Sequence, residues 1–294
     1  MLVARLKVVA AALAAAAVSL AVPGGQSPAT AATTTPTTTW APAATAPLHP
    51  GVQTYTSGGQ CTANFVFADD AGNVYLGQAA HCSGTGAATD TNGCTAGTMP
   101  LGTAVTFNEG GSLLSDGEVV GRGTLAYSSW NTMQQIGEKD VNTCAYNDLA
   151  LVKVAAADVG KVNPSVPFWG GPVGINTTGT AAGDNVYSYG NSSLRAGATR
   201  LSPKTGVSLG DDPADGGWSH SLYTATPGIP GDSGSAFLDG EGKAVGVLST
   251  LGLAPLPLSN NIGDLAHELA WAQAHSGIAG LRLVPGTEPF SAGL

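Results

Sequence analysis

The sequence predicts an all-β domain, a barrel or a sandwich built of many hairpins and closed by one C-terminal helix. Three observations lead there. Short runs of β-branched, aromatic and aliphatic residues recur between Gly, Asn and Asp turns through the middle of the chain. Helical spacing of apolar residues is confined to one stretch near the end. Alternating βα units are missing, as is any internal repeat of fixed period.

Taken in order, the expected strands are Asn64-Phe65-Val66-Phe67, Val74-Tyr75-Leu76, Leu149 to Val154, Asn185 to Tyr189 and Ala244 to Leu248. Between the first two, Asp69-Asp70-Ala71-Gly72-Asn73 has the residues of a hairpin turn. After Asn261, the residues Ile262, Leu265, Ala266, Leu269 and Ala272 recur at helical spacing. Asp264 and Glu268 come early, where acidic side chains favour a helix N-terminus, and Gly277 is the stop. This stripe reads as a packing face rather than a ligand site.

Residues 1–31 read as a secretory signal peptide. Arg5 and Lys7 precede an apolar run from Val8 to Val22, and Ala29-Thr30-Ala31 offers a small-residue cleavage site. Ser19 interrupts the run, which is shorter than the roughly 20 apolar residues of a spanning helix. No membrane association is expected once the signal is removed. Residues 32–49 are Thr, Pro and Ala with hardly a charge, the composition of a disordered leader. Residues 50–294 then form the folded domain, expected to be secreted and monomeric.

Loss of residues 1–31 removes two positive charges and no negative one, moving the formal net charge from −9 to −11. Such a chain is a poor nucleic-acid partner, because phosphate binding rests on clustered Lys and Arg. Four cysteines in an exported chain read as two disulfides. Cys61, Cys82, Cys94 and Cys144 contain no Cys-x-x-Cys pair, so no metal or other cofactor is expected.

The stretch Pro230-Gly231-Asp232-Ser233-Gly234-Ser235-Ala236 raises the question of chemistry. A serine hydroxyl becomes a nucleophile when a neighbouring base takes its proton, and a carboxylate orients that base. Among five histidines, His81 stands out in Leu76-Gly77-Gln78-Ala79-Ala80-His81-Cys82, at a strand end in a hairpin whose other strand begins at Cys61. A Cys61–Cys82 bond would staple that hairpin beside the imidazole. Asp148 directly precedes the apolar strand Leu149 to Val154; alone it would read as a turn cap. His81, Asp148 and Ser233 in that order follow one of the three recurring orders of serine hydrolases.

On Ala79-Ala80-His81-Cys82, Asp148-Leu149-Ala150-Leu151 and Gly231-Asp232-Ser233-Gly234-Ser235, the chain resembles the secreted bacterial chymotrypsin-like serine proteases. The resemblance implies two six-stranded antiparallel β-barrels, His81 and Asp148 from the first and Ser233 from the second, acting on a protein or peptide substrate. It implies an oxyanion hole from the N–H groups of Gly231 and Ser233. It also implies that Ser249 helps hold Asp148, and that residues 249–251, Ser249, Thr250 and Leu251, pair with substrate as an added strand. With Cys61 and Cys82 paired, Cys94 is left for Cys144.

Members of that family activated by cleavage pair a new N-terminus with the Asp beside the nucleophile. Here no Lys or Arg lies between Val8 and Gly121, so Asp232 needs an internal partner, for which Arg195 and Arg200 are the candidates. Trypsin-like members carry an acid six residues before the nucleophile, where this chain has Pro227. The wall Thr250-Leu251-Gly252-Leu253-Ala254 is apolar. Glutamyl-specific members place a His where this chain has Leu248, so an uncharged P1 residue is expected.

Two rival enzymes fit less well. An α/β-hydrolase would need Gly at position 235, which is Ser, and a subtilisin order would require Asp70, which sits in a hairpin turn. The rival from another class is a secreted binding protein on a protease fold. The glycosylation triplets at Asn176 and Asn191 read as chance, and Trp130, Trp169 and Trp218 as packing residues.

Overall fold

Strands with apolar residues at alternate positions must turn one face from water, and this chain does so in two curled antiparallel lobes. The computed structural model describes residues 38–293 apart from 58, 88 and 253–257. The signal segment 1–31, the start of the leader, and Leu253 and Ala254 lie outside the described residues.

The first lobe contains β1 (Gln53–Thr56), β2 (Gly59–Thr62), β3 (Val66–Ala68), β4 (Val74–Ala79), β5 (Ala104–Glu109), β6 (Glu118–Ser128) and β7 (Leu149–Val154). The second contains β8 (Asn185–Tyr189), β9 (Pro203–Asp211), β10 (Ser219–Thr224), β11 (Ala236–Asp239), β12 (Ala244–Gly252) and β13 (Ser259–Asp264). A short β14 (Arg282–Leu283) returns to pair with β3. The second lobe is a closed barrel in the order β10-β13-β12-β11-β8-β9. The first is a curled eight-stranded sheet, β14-β3-β4-β7-β6-β5-β1-β2, with β14 and β2 at its edges. The all-β, two-lobed expectation holds, and its six-strand count applies to the second lobe.

One apolar cluster joins the lobes: Phe65, Tyr75, Leu149 and Leu151 of the first pack with Tyr187, Leu238 and Val247 of the second and with Leu265 and Leu269. The last two belong to helix α3 (Leu265–His275). Its N-cap is Asp264, whose side chain accepts the His267 N–H at 2.8 Å, so Ile262 falls on β13 rather than on the helix. Two further helices, α1 (Ser129–Ile136) and α2 (Val141–Tyr146), were not expected. Both are short, and their apolar positions are too few to mark a period. Among the described residues no helix is long and apolar enough to cross a membrane.

The described part of the expected leader, residues 38–49, is packed on the first lobe. Trp40 leans on the core, Leu48 is fully buried, and Asn163 ties the segment down through Nδ2 to the Ala41 carbonyl at 2.7 Å. Composition hid these anchors, since two apolar side chains among many Thr and Ala suffice to dock a strap.

Disulfides join Cys61 to Cys82 and Cys94 to Cys144. The expected hairpin beside His81 is corrected: β4 pairs with β3, whereas Cys61 lies on β2, which pairs with β1. The first disulfide therefore clamps an edge strand to the turn carrying His81 rather than closing a hairpin.

Candidate active site

His81 and Asp148 lie far apart in the chain, and strand register brings them together. β4 and β7 run antiparallel with Ala79 opposite Leu149, so the next step places Ala80 opposite Asp148. The Ala80 N–H donates to the Asp148 carbonyl at 2.7 Å, and a short 3₁₀ turn over Ala80–Ser83 then swings the imidazole inward. Asp148 is 4% exposed, and its carboxylate takes three bonds. They come from the His81 N–H at 2.8 Å, from His81 Nδ1 at 2.7 Å and from Ser249 Oγ at 2.6 Å. Two of these donors sit on the first lobe and the third on the second.

The Ser233 turn is held between the lobes. Its carbonyl accepts the Thr62 N–H of β2 at 2.8 Å, and Gly234 N–H donates to the Leu248 carbonyl of β12 at 2.7 Å. Gly234 sits at φ +88°, with the Thr62 carbonyl so close that a Cβ would come within 2.6 Å of it. Ser233 and His81 line the same cleft, and the Ser233 carbonyl oxygen is 4.0 Å from Cys82 Sγ. The sulfurs of Cys61 and Cys82 and a ring nitrogen of His81 all lie within 4.8 Å of one another. Both thiols are consumed in the disulfide, so this trio is not a metal site.

Among the described residues, the N–H groups of Gly231 and Ser233 donate to no protein atom. The Pro230 carbonyl accepts Ser192 Oγ at 2.6 Å. A planar trans peptide sets its N–H opposite its carbonyl, so this bond aims the Gly231 N–H away from Ser192. The Gly231 carbonyl is fixed in turn by Gln60 Nε2 at 3.0 Å and Thr62 Oγ1 at 2.8 Å. Gly231 has φ +94°, and a Cβ there would come 2.2 Å from Gln60 Oε1. Both peptide planes flanking Gly231 are thereby held before anything binds.

Asp232 is fully buried and has two cations. Arg195 Nη2 donates to its Oδ2, and Lys204 Nζ lies 3.1 Å from the same oxygen. The N–H groups of Ser192 and Ile229 also donate to the carboxylate, at 3.0 and 3.1 Å. Of the two candidate arginines, Arg195 is thus the partner and Arg200 is not. Lys204, itself without solvent exposure, was missed. Burial pulls its ammonium below the ordinary lysine value and Arg195 pushes it the same way, against the attraction of Asp232.

The cleft between the lobes encloses about 660 Å³. On its second-lobe side lie Gly228, Ile229, Leu248, Ser249, Thr250 and Leu251, together with Asn260. Asn260 is buried and holds Gly228 at both ends, accepting its N–H at 2.8 Å and donating to its carbonyl at 3.3 Å. Pro227, placed in the pocket by its distance from Ser233 along the chain, does not line the cleft. Its carbonyl instead faces the buried cations, accepting from Arg195 Nη2 at 3.1 Å. Apart from His81 and Asp148, the charged residue on the described cleft wall is Asp90, in the first-lobe loop tethered by Cys94.

Burial pulls the His81 pKa down, but the charge of Asp148 and its hydrogen bond together outweigh this and leave it above the ordinary value. An imidazole so placed is a base whose protonated form is stabilised by a fixed carboxylate. The two glycosylation triplets are engaged internally: Asn176 Nδ2 donates to Asp239 at 3.0 Å and Asn191 Nδ2 to the Gly51 carbonyl at 2.9 Å.

A closed six-stranded barrel and a curled antiparallel sheet with a cleft between them constitute the chymotrypsin-like fold. No protein-family model and no curated protein matches the chain. Solved structures similar to it include Thermobifida fusca protease A, at 16% identity and TM-score 0.48 over 81% of this chain and 99% of that one. A Nocardiopsis protease matches at 18% identity and TM-score 0.44, over 80% and 98%. Cellulomonas bogoriensis chymotrypsin matches at 16% identity and TM-score 0.43, over 81% and 98%.

The Asp232 cluster yields a stability test. Arg195→Met removes one partner of a buried ion pair and should destabilise the protein by about 3 kcal/mol. Lys204→Met leaves the Arg195 pair intact and removes a desolvated ammonium, so its cost should be smaller. Denaturant unfolding of both variants measures the difference, and equal costs would contradict the assignment of Arg195 as the principal partner.

Proposed function

We propose that the protein is an exported serine endopeptidase that hydrolyses peptide bonds through an acyl-enzyme. The observation that carries this reading is the His81–Asp148–Ser249 cluster facing the same cleft as Ser233 and the two undonated N–H groups. His81 takes the proton of Ser233 as the hydroxyl attacks the substrate carbonyl, and Asp148 holds the ring and stabilises its charge. The carbonyl oxygen, now an oxyanion, is received by Gly231 and Ser233 N–H, each such donor being worth roughly 3 kcal/mol. His81 then gives its proton to the leaving amine, and water repeats the cycle on the acyl-enzyme. No step calls on a metal or other cofactor.

The substrate main chain adds as a strand along Ser249, Thr250 and Leu251, where β12 extends beyond its pairing with β11. Residues 1–31 serve as the signal and residues 50–294, with the packed strap before them, as the protease domain. Its substrate is a protein or peptide, and the mature protein acts as a monomer away from nucleic acid and membrane.

Labelling by a fluorophosphonate tests the reading. The wild-type protein should react covalently and Ser233→Ala should not; folded wild-type protein that fails to label would point to a binding protein on this fold. Because the base must be unprotonated and its pKa is raised, activity should fall on the acid side with a midpoint above the ordinary imidazole value of about 6.5. A midpoint below that value would contradict the His81–Asp148 pairing in solution.

Specificity follows from the second-lobe wall. Leu248, Thr250 and Asn260 offer no charge to a buried P1 cation or carboxylate. Profiling of a peptide library should therefore show cleavage after uncharged residues, and efficient cleavage after Arg, Lys or Glu would overturn this part of the proposal.

A further inference from the structure

Behind the triad, on the side away from the cleft, lies a second carboxyl group that the reaction does not use. Glu268 stands one turn into α3 and is completely buried. Its Oε1 accepts the backbone N–H of Asp148 at 2.9 Å. Its Oε2 is buried without a hydrogen-bond partner in the protein, as are Tyr127 Oη and the side-chain amide of Asn147, the residue before Asp148. The start of α3 is fixed by the Asp264 cap, and Leu265, Leu269 and Ala272 anchor the helix in the core that joins the lobes.

We infer that Glu268 is a positioning residue, which fixes the Asp148 main chain from behind and so sets the carboxylate on which His81 rests. The inference relies on the protease reading of the site. The Asp148 carboxylate takes all its bonds from the cleft side, and its carbonyl is held by Ala80, leaving the N–H as the handle on the far side. Glu268 grips that handle from the C-terminal helix, so the last helix of the chain reports directly to the first-lobe half of the triad.

The charges facing Glu268 dictate its form. Asp148 on β7's approach and Asp264, the N-cap of its own helix, are both acidic, and the Tyr127 phenol of β6 is neutral. No cation faces it. Burial therefore holds the Glu268 carboxyl well above the usual range, opposed by the Asp148 N–H and reinforced by the negative charges of Asp148 and Asp264. A raised folded value means that the stability it contributes is complete below the unfolded value near 4.3 and is lost as pH rises through the folded value. Ionisation there would place a second negative charge against Asp148.

Three variants separate this role from simple packing. In Glu268→Ala, kcat should fall on the order of tenfold to a hundredfold with KM nearly constant, because the displaced group is in the triad and not in the substrate-binding strand. Glu268→Gln keeps the carbonyl acceptor and cannot ionise, so it should restore most of the lost rate. Glu268→Met retains volume without the acceptor and should behave like the alanine variant, which covers the case in which Glu268→Ala fails to fold.

The Asp148 amide and His81 Nδ1 proton resonances read the position without turnover. Both should move in Glu268→Met and return toward wild type in Glu268→Gln. Unchanged resonances and unchanged kcat in Glu268→Met would overturn the inference, as would a Gln variant no better than Met. Wild-type protein that does not label at Ser233 would overturn the protease reading instead, and the resonances would still decide whether Glu268 sets Asp148.

Discussion

Asp148 is the point at which the two lobes meet in chemistry. Its carbonyl accepts from Ala80, its N–H donates to Glu268, and its carboxylate binds His81 twice and Ser249 once. Three separate parts of the chain therefore converge on one residue with almost no solvent exposure. Burial makes such a carboxylate costly unless every lone pair is engaged, and here the donors are supplied by strand register, by the other lobe and by a turn. If the β4–β7 register slipped by one residue, the pair would be lost and the shifted strand would turn its side chains to the opposite face.

The loop carrying Ser233 follows a parallel logic around a second buried carboxylate, Asp232. Asp232 is shut off from solvent, so Arg195, Lys204 and two backbone N–H groups stabilise its charge. Ser192, Gln60 and Thr62 then hold the peptides on either side of Gly231. The peptide planes on either side of Gly231 are thus oriented by bonds made elsewhere, and under the proposed function that is the preorganisation an oxyanion site needs.

Much of this was legible in the sequence because it was written in residue types with few alternatives. A Ser within closely spaced glycines, a His beside a Cys and an Asp before an apolar strand are local signals, and β7 and β8 were bounded correctly for the same reason. The supports were not legible. A Lys in a strand ordinarily reaches solvent, so nothing marked Lys204 as buried, and Glu268 read as an acid suited to a helix start rather than as a core residue. Pro227 was misplaced because chain distance from Ser233 ignores the turn of the intervening backbone. Trp40 and Leu48 were masked by the Thr and Pro around them, and α1 and α2 by their shortness.

The central claim is that the cleft is a preorganised acyl-transfer site, with Asp148 holding the base and Gly231 and Ser233 awaiting an oxyanion. A crystal structure of the protein treated with a phosphonate ester tests it most directly. The account predicts a bond from Ser233 Oγ to phosphorus, with the phosphonyl oxygen about 3 Å from both N–H groups and His81 still paired to Asp148. An adduct whose oxygen turns away from Gly231 and Ser233, or one formed with His81 detached from Asp148, would contradict it.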